Sequence, residues 1–156
     1  MTLTEADIAV IKKALAELAF HEYLRPGEED KLIAGFEKAP MKKDEVLITQ
    51  GRTGEIFYVL ATGKVGVFLK GKLVDKKIAT LEPPAYFGEM SLVSNEPRTA
   101  SVICEEAGDV YTLLRTTFRD VILDNPHVGD LIRKTAAERK AATKAIEYNE
   151  WMGKKL

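Results

Sequence analysis

The hydrophobic pattern of this 156-residue chain changes period twice, and that change limits the possible folds more than any other feature. Over residues 4–38 apolar side chains recur every three or four positions. Ile8, Ile11, Leu15 and Leu18 make one stripe, the mark of an amphipathic helix, and Thr4 or Asp7 can cap it. Pro26-Gly27 breaks the pattern. A short second helix is predicted from Glu29 to Phe36, with Leu32, Ile33 and Phe36 buried and Pro40 as its stop. From residue 41 to 114 the period falls towards two. Apolar runs cover 46–48, 56–60, 65–69, 74–81, 101–104 and 110–114, with glycine-bearing turns at 51–54, 61–64, 70–72 and 107–109. Many short strands at this spacing predict an antiparallel barrel or sandwich. No helical pattern of about 10–15 residues lies between them, which excludes a doubly wound parallel sheet.

After residue 114 the helical period returns. Thr116 opens a short helix with Phe118, Val121 and Ile122 inward. Asn125-Pro126 supplies a cap followed by proline at the first helical position, and a long helix is predicted from there to Trp151. Val128, Ile132, Thr135, Arg139, Ala142, Ile146 and Asn149 follow one another at alternating spacings of four and three. That line is poor in large apolar residues, so it serves either a dimer seam or packing back on the domain. The expectation is one domain over 1–156: helical at 4–38, strands at 41–114, and C-terminal helices at 116–152.

Charge and cysteine usage remove several functional classes. Lys plus Arg total 23 and Asp plus Glu 24, which argues against whole-molecule affinity for nucleic acid or anionic membrane. The segment 131–156 carries seven bases against three acids, either a solvated helix face or a partner site. Cys104 stands alone and reads as a small core residue, so no internal disulfide is expected. Glu5 and Asp7 near the start, without a basic run ahead of an apolar one, predict no secretory leader. No apolar stretch approaches the length of a membrane span. A cytoplasmic protein is expected.

One stretch differs chemically from the rest. Phe87-Gly88-Glu89-Met90-Ser91-Leu92 is followed by Pro97-Arg98-Thr99-Ala100-Ser101-Val102, so a carboxylate and a guanidinium sit nine residues apart among small neighbours. Gly88 permits a positive φ and close backbone approach. Residues 88–92 can open a short helix whose N–H groups cradle an anion. The planar fork of Arg98 matches two phosphate oxygens. Glu89 would repel that phosphate and suits a hydroxyl on the other side of the ligand. The same two side chains can instead close on each other as a structural salt bridge, and spacing alone leaves both roles open.

These residues resemble the phosphate-binding cassette of the cyclic nucleotide-binding domain family, found in regulatory subunits of cyclic-nucleotide-dependent kinases, in gated channels and in bacterial catabolite-activator-type regulators. The cassette stands here as FGEMSL at 87–92 and PRTASV at 97–102, and EVLITQGRTGEIFYVLATGKVGVF at 45–68 resembles the family's glycine-bearing hairpins. The likeness runs over about residues 20–140. It implies an α+β fold, an antiparallel β-roll (a jelly roll or double-stranded β-helix) flanked by N-terminal and C-terminal helices. It implies that Glu89 binds the ribose 2′-hydroxyl, that Arg98 binds the cyclic phosphate, and that backbone groups of Gly88, Met90, Ala100 and Ser101 complete the cradle. Thr99 falls where a threonine hydroxyl favours guanine in some members and accompanies adenine in others. Val67 and Phe87 become neighbours of the purine or sugar. The final helix becomes a lid, with Leu131, Ile132, Thr135 and Arg139 as its contacts. One departure is the loop Glu82-Pro83-Pro84-Ala85-Tyr86, where the family usually has a glycine near position 84; Pro84 fixes φ and removes a donor.

The resemblance implies a stand-alone sensor of cyclic AMP or cyclic GMP, with no cofactor and no catalysis. The chain ends at Leu156 without the helix-turn-helix of the family's transcription factors, so DNA binding is not expected. An effector protein is an expected partner, and the oligomeric state is monomer or weak homodimer. The rival reading is a ligand-free roll that acts as an adaptor through Tyr148, Trp151 and Met152. His21 and His127 bracket different helical zones and form no metal set, and Glu28-Glu29-Asp30 reads as a helix first turn.

Overall fold

The computed structural model describes residues 2–93, 97–134 and 137. Two helices, α1 (Glu5–Leu15) and α2 (Glu28–Ala34), precede eight strands: β1 (Glu37–Met41), β2 (Val46–Ile48), β3 (Ile56–Leu60), β4 (Lys64–Leu69), β5 (Lys76–Leu81), β6 (Tyr86–Phe87), β7 (Ser101–Glu106) and β8 (Gly108–Leu114). A one-turn helix α3 (Met90–Val93) interrupts the strands, and α4 (Arg115–Ile122) follows them. A last helix, α5, starts at residue 126 and is described to 134. The strands form two four-stranded sheets, ordered β1-β8-β3-β6 and β2-β7-β4-β5, and every pairing is antiparallel. The architecture is the expected α+β roll flanked by helices.

The strand β3 shows why the roll and the helices fold together. Its sequence IFYVL lacks polar alternation because both of its faces are covered. Phe57 and Val59 join the helical core, with Ile11, Leu15, Leu32, Phe36, Phe118 and Val128. Tyr58 and Leu60 turn the other way into the roll interior, with Met41, Ile48, Val65, Phe87, Val102 and Cys104. Each fully buried Leu or Phe contributes about 1.5–3 kcal/mol relative to exposure, so one strand anchors two cores. β8 repeats the device, with Val110 inside the roll and Tyr111 and Leu113 under the helices.

Three expectations are corrected. The residues up to 38 are not all helical, because the β-region begins at Glu37 rather than 41. Pro40 does not end α2; Gly35 is its C-cap, and Pro40 lies within β1. That strand is an edge of its sheet, where a missing N–H is tolerated, so the proline hid it. The stretch 107–109 is not a hairpin turn. Only Ala107 separates β7 from β8, and the chain passes there from one sheet to the other. A Cβ on Gly108 would lie 2.2 Å from the Thr62 carbonyl oxygen, so this corner needs the close backbone contact of glycine. In addition, the run expected over 74–81 becomes a strand only from Lys76, and β6 had no separate signal. The Pro83–Pro84 peptide is cis.

The predicted caps form. Thr4 caps α1, accepting from the Asp7 N–H at 3.1 Å, while the Asp7 carboxylate accepts from the Thr4 N–H at 2.8 Å. Asp7 is 5% exposed and also accepts from the Tyr111 hydroxyl and from Lys38 Nζ at 3.2 Å, tying α1 to β8 and β1. Asn125 Oδ1 accepts from the Val128 N–H at 3.1 Å, and its Nδ2 donates to Glu28 and to the Tyr23 carbonyl. This joins the start of α5 to the N-terminal helices.

The N–H of Thr4 and the Tyr111 hydroxyl hold the Asp7 carboxyl well below the usual carboxylate range, against the opposing effect of burial. Folding therefore favours its ionised form. The stabilisation is complete above the unfolded value of about 4 and is lost as pH falls through the lower folded value. Thermal melts across an acid series are expected to show Asp7→Asn with a lower midpoint at neutral pH and a flatter decline below about pH 4 than the native chain. Identical midpoints at pH 7 would remove this node from the fold's support.

Candidate functional site

A cavity of about 550 Å³ opens between β4, β7, the 48–51 turn and the segment around α3. That lies within the usual range for small-molecule sites, about 300–1,000 Å³. Its wall includes Val67, Phe87, Gly88, Glu89, Met90, Arg98, Thr99 and Ala100. Those eight sequence candidates are brought together. Ser101 is not in the wall: its Oγ accepts from the Gln50 N–H at 2.9 Å and holds the neighbouring turn. Ile132 borders a separate apolar cavity of about 70 Å³, together with Leu131, Leu18, Ala19 and Phe20. Glu89 and Met90 line both cavities. Thr135 and Arg139 lie outside the described residues, as do Tyr148, Trp151 and Met152.

The backbone around Arg98 fixes it to the turn opposite. Its N–H donates to the Arg52 carbonyl at 2.9 Å, and its own carbonyl accepts from the Gly51 N–H at 2.8 Å. The side chain then crosses directly over Gly54. A Cβ at residue 54 would stand 2.0 Å from Arg98 Nε, 2.2 Å from Nη2 and 2.4 Å from Cζ. On the cavity side, Gly88 takes a φ of +79°, and a Cβ there would meet Arg98 Nη1 at 3.1 Å and the Ile56 carbonyl oxygen at 3.0 Å. The guanidinium thus lies in a slot with a glycine on each side. Nη2 donates to the Ile56 carbonyl at 3.0 Å. Nε is buried and has no hydrogen-bond partner.

The electrostatics follow from this placement. Burial lowers the Arg98 pKa; Tyr58 and Glu89 oppose the shift. Arginine stays charged all the same. Among the described residues no carboxylate forms an ion pair with Arg98, so the Glu89–Arg98 salt bridge left open by the sequence does not form. Tyr58 stacks on Phe87 with ring centroids 4.9 Å apart and donates to the Leu47 carbonyl at 3.2 Å, so the floor behind the arginine is aromatic. Ser91 Oγ donates to the Gly88 carbonyl at 2.6 Å and closes the turn into α3. The arrangement offers a half-buried cation with spare donor capacity, a carboxylate with no ion-pair partner among the described residues, and an apolar wall.

A family model described as the cyclic nucleotide-binding domain matches residues 39–125. The chain belongs to that family. This domain is 29% identical over 146 residues to the cAMP-dependent protein kinase regulatory subunit of Colletotrichum trifolii, covering 87% of this chain and 36% of that protein. It is 29% identical over 150 residues to the cGMP-dependent protein kinase of Toxoplasma gondii, covering 96% of this chain and 14% of that protein. Both relatives are thus much longer than the chain. Its fold is similar to that of the regulatory domain of Toxoplasma gondii PKA crystallised with cAMP, with a TM-score of 0.67 and 22% identity over 77% of this chain and 46% of that one. The family is one of regulatory binding domains.

Sequence reasoning missed several wall residues, among them Ile48, Gln50, Gly51, Pro97 and Val102. It also missed Gly54 and the Ile56 carbonyl, because their contact with Arg98 spans more than 40 residues of chain. The one available signal is the repeated glycine in QGRTG at 50–54, which turn chemistry alone also accounts for.

The slot makes a test possible without any ligand. Gly54→Ala is expected to push the guanidinium aside and shift the Arg98 Nε–Hε resonance in a ¹H–¹⁵N spectrum, while leaving the rest of the roll's spectrum in place. An unmoved resonance would show that residue 54 does not set the position of the arginine.

Proposed function

We propose that this domain is a sensor that binds a 3′,5′-cyclic nucleotide, cyclic AMP or cyclic GMP, in the cavity between β4, β7 and α3, and signals through its flanking helices. The observation that carries the reading is Arg98: a charged group held in a glycine slot, half-buried, with one buried N–H unpaired and, among the described residues, no carboxylate in ion-pair contact with it. Burying such a group is costly unless a charged partner arrives, and a cyclic phosphate is a partner of matching sign and geometry. In this reading Glu89 accepts from the ribose 2′-hydroxyl, and backbone groups of Gly88, Met90 and Ala100 stand around the phosphate. Thr99, Val67 and Phe87 meet the remaining parts of the nucleotide. Residues 1–156 act as one domain, and no residue performs covalent chemistry.

The output follows from a shared boundary. Glu89 and Met90 face the nucleotide cavity on one side and the small apolar cavity against Leu18, Phe20, Leu131 and Ile132 on the other. A ligand that draws Glu89 and the start of α3 inward changes what α5 and the N-terminal helices pack against. It shifts the helices only by as much as its affinity differs between the two packings. A protein that recognises one packing is the effector this reading requires.

Titration calorimetry with cyclic AMP and cyclic GMP in parallel tests the site. Binding of at least one is expected, and Arg98→Ala is expected to weaken it by at least about thirtyfold, because an unpaired phosphate costs on the order of 2–5 kcal/mol. Unchanged affinity in Arg98→Ala would remove the phosphate role. The absence of heat or thermal shift from both nucleotides at millimolar concentration would favour the adaptor reading. For the output, hydrogen exchange of residues 126–134 is expected to change on nucleotide addition, and unaltered exchange there would leave α5 out of the signal.

A further inference from the structure

We propose that the turn joining β4 to β5 is a docking tip for an anionic phospholipid surface, separate from the nucleotide cavity. Residues 70–75 project beyond the last paired positions of the hairpin, Leu69 and Lys76. At the tip Leu73 is 97% and Val74 78% exposed, and Leu69 and Ile78 behind them are exposed as well. Single exposed aliphatic residues are ordinary on a protein surface. Two adjacent ones at the tip of a turn, left exposed among the described residues, are a different case. Lys70, Lys72, Lys76 and Lys77 surround them against a single acid, Asp75. Lys77 is held by Glu105 at 2.8 Å, and among the described residues no carboxylate pairs with Lys70, Lys72 or Lys76. The root is fixed, since the Lys70 N–H donates to Gln50 Oε1 at 2.8 Å.

Shape and composition favour a bilayer over a protein partner. A stable protein interface buries on the order of 1,200 Å² or more and draws on aromatic and arginine anchors, with lysine depleted. This tip offers neither the area nor those anchors. A bilayer needs only a small apolar wedge with cations at headgroup level, and lysine stems reach that level while their ammonium groups stay wet. The near balance of charge over the whole chain does not oppose this, because screening confines the field of each exposed lysine to about 10 Å.

The test is co-sedimentation of the full chain with large vesicles of phosphatidylcholine alone or mixed with phosphatidylserine. Binding to the mixed vesicles, none to phosphatidylcholine, and release at high salt are expected. Lys72→Glu with Lys76→Glu is expected to weaken binding at least about tenfold, and Leu73→Ser with Val74→Ser at least about threefold. Circular dichroism confirms folding of both pairs, whose side chains lie outside the two cores. Equal sedimentation with both vesicle types, or unaltered binding by either pair, overturns the proposal. Retention on immobilised polyglutamate without vesicle binding also overturns it and assigns the tip to an acidic protein segment.

Discussion

The position of one guanidinium organises the half of this molecule that holds the larger cavity. Arg98 can lie where it does only because residues 54 and 88 have no side chains, because the Ile56 carbonyl is turned towards it, and because the chain on either side is bonded to the 51–52 turn. These elements belong to different parts of the sequence. The slot therefore exists only when both sheets have closed, and the roll as a whole pre-orients the cation. Pre-orientation matters energetically: a side chain as long as arginine would otherwise lose rotamer freedom on meeting its ligand, on the order of 1 kcal/mol or more.

The same closure connects the site to the helices. β3 places Phe57 and Val59 in one core and Tyr58 and Leu60 in the other, and the stacking of Tyr58 on Phe87 carries the roll core up to the residue before Gly88. From Gly88 the chain enters α3, whose Leu92 belongs to the helical core. Six residues thus run from the roll interior, past the cavity wall, into the packing of α4 and α5. In the proposed reading a change at the wall reaches the helices along this route, because close-packed interiors transmit displacement instead of absorbing it.

Much of this was legible in the sequence, for identifiable reasons. The helix stripes, the Thr4 and Asn125 caps and most of the strands follow from local periodicity and capping chemistry, and the structure bears them out. The cassette was legible because its residues lie close together in the chain. Three features were hidden. β1 carries a proline that only its edge position excuses. The corner at Ala107 looks like a turn unless the assignment of its flanking strands to different sheets is known. Gly54 and Ile56 approach Arg98 only after the roll closes. Local chemistry predicted local structure, and contacts between distant segments escaped it.

Net charge misleads in the same way. A chain with 23 basic and 24 acidic side chains has almost no net charge, yet the two sites proposed for it depend on charge in opposite physical regimes. Arg98 sits half-buried, where an effective dielectric of about 20 makes a charge pair worth roughly four times its value in bulk water. Added salt should therefore disturb that pairing little. Lys70, Lys72 and Lys76 are exposed, and there attraction to an anionic surface is weak per residue and is screened within about 10 Å at 0.1 M salt. The distribution of charge between buried slot and exposed tip, and not its sum, sets what each part of the domain can hold. It also makes ionic strength the variable that separates the two proposals: the proposed nucleotide binding rests on the half-buried cation, and the proposed surface attachment rests on the screened ones.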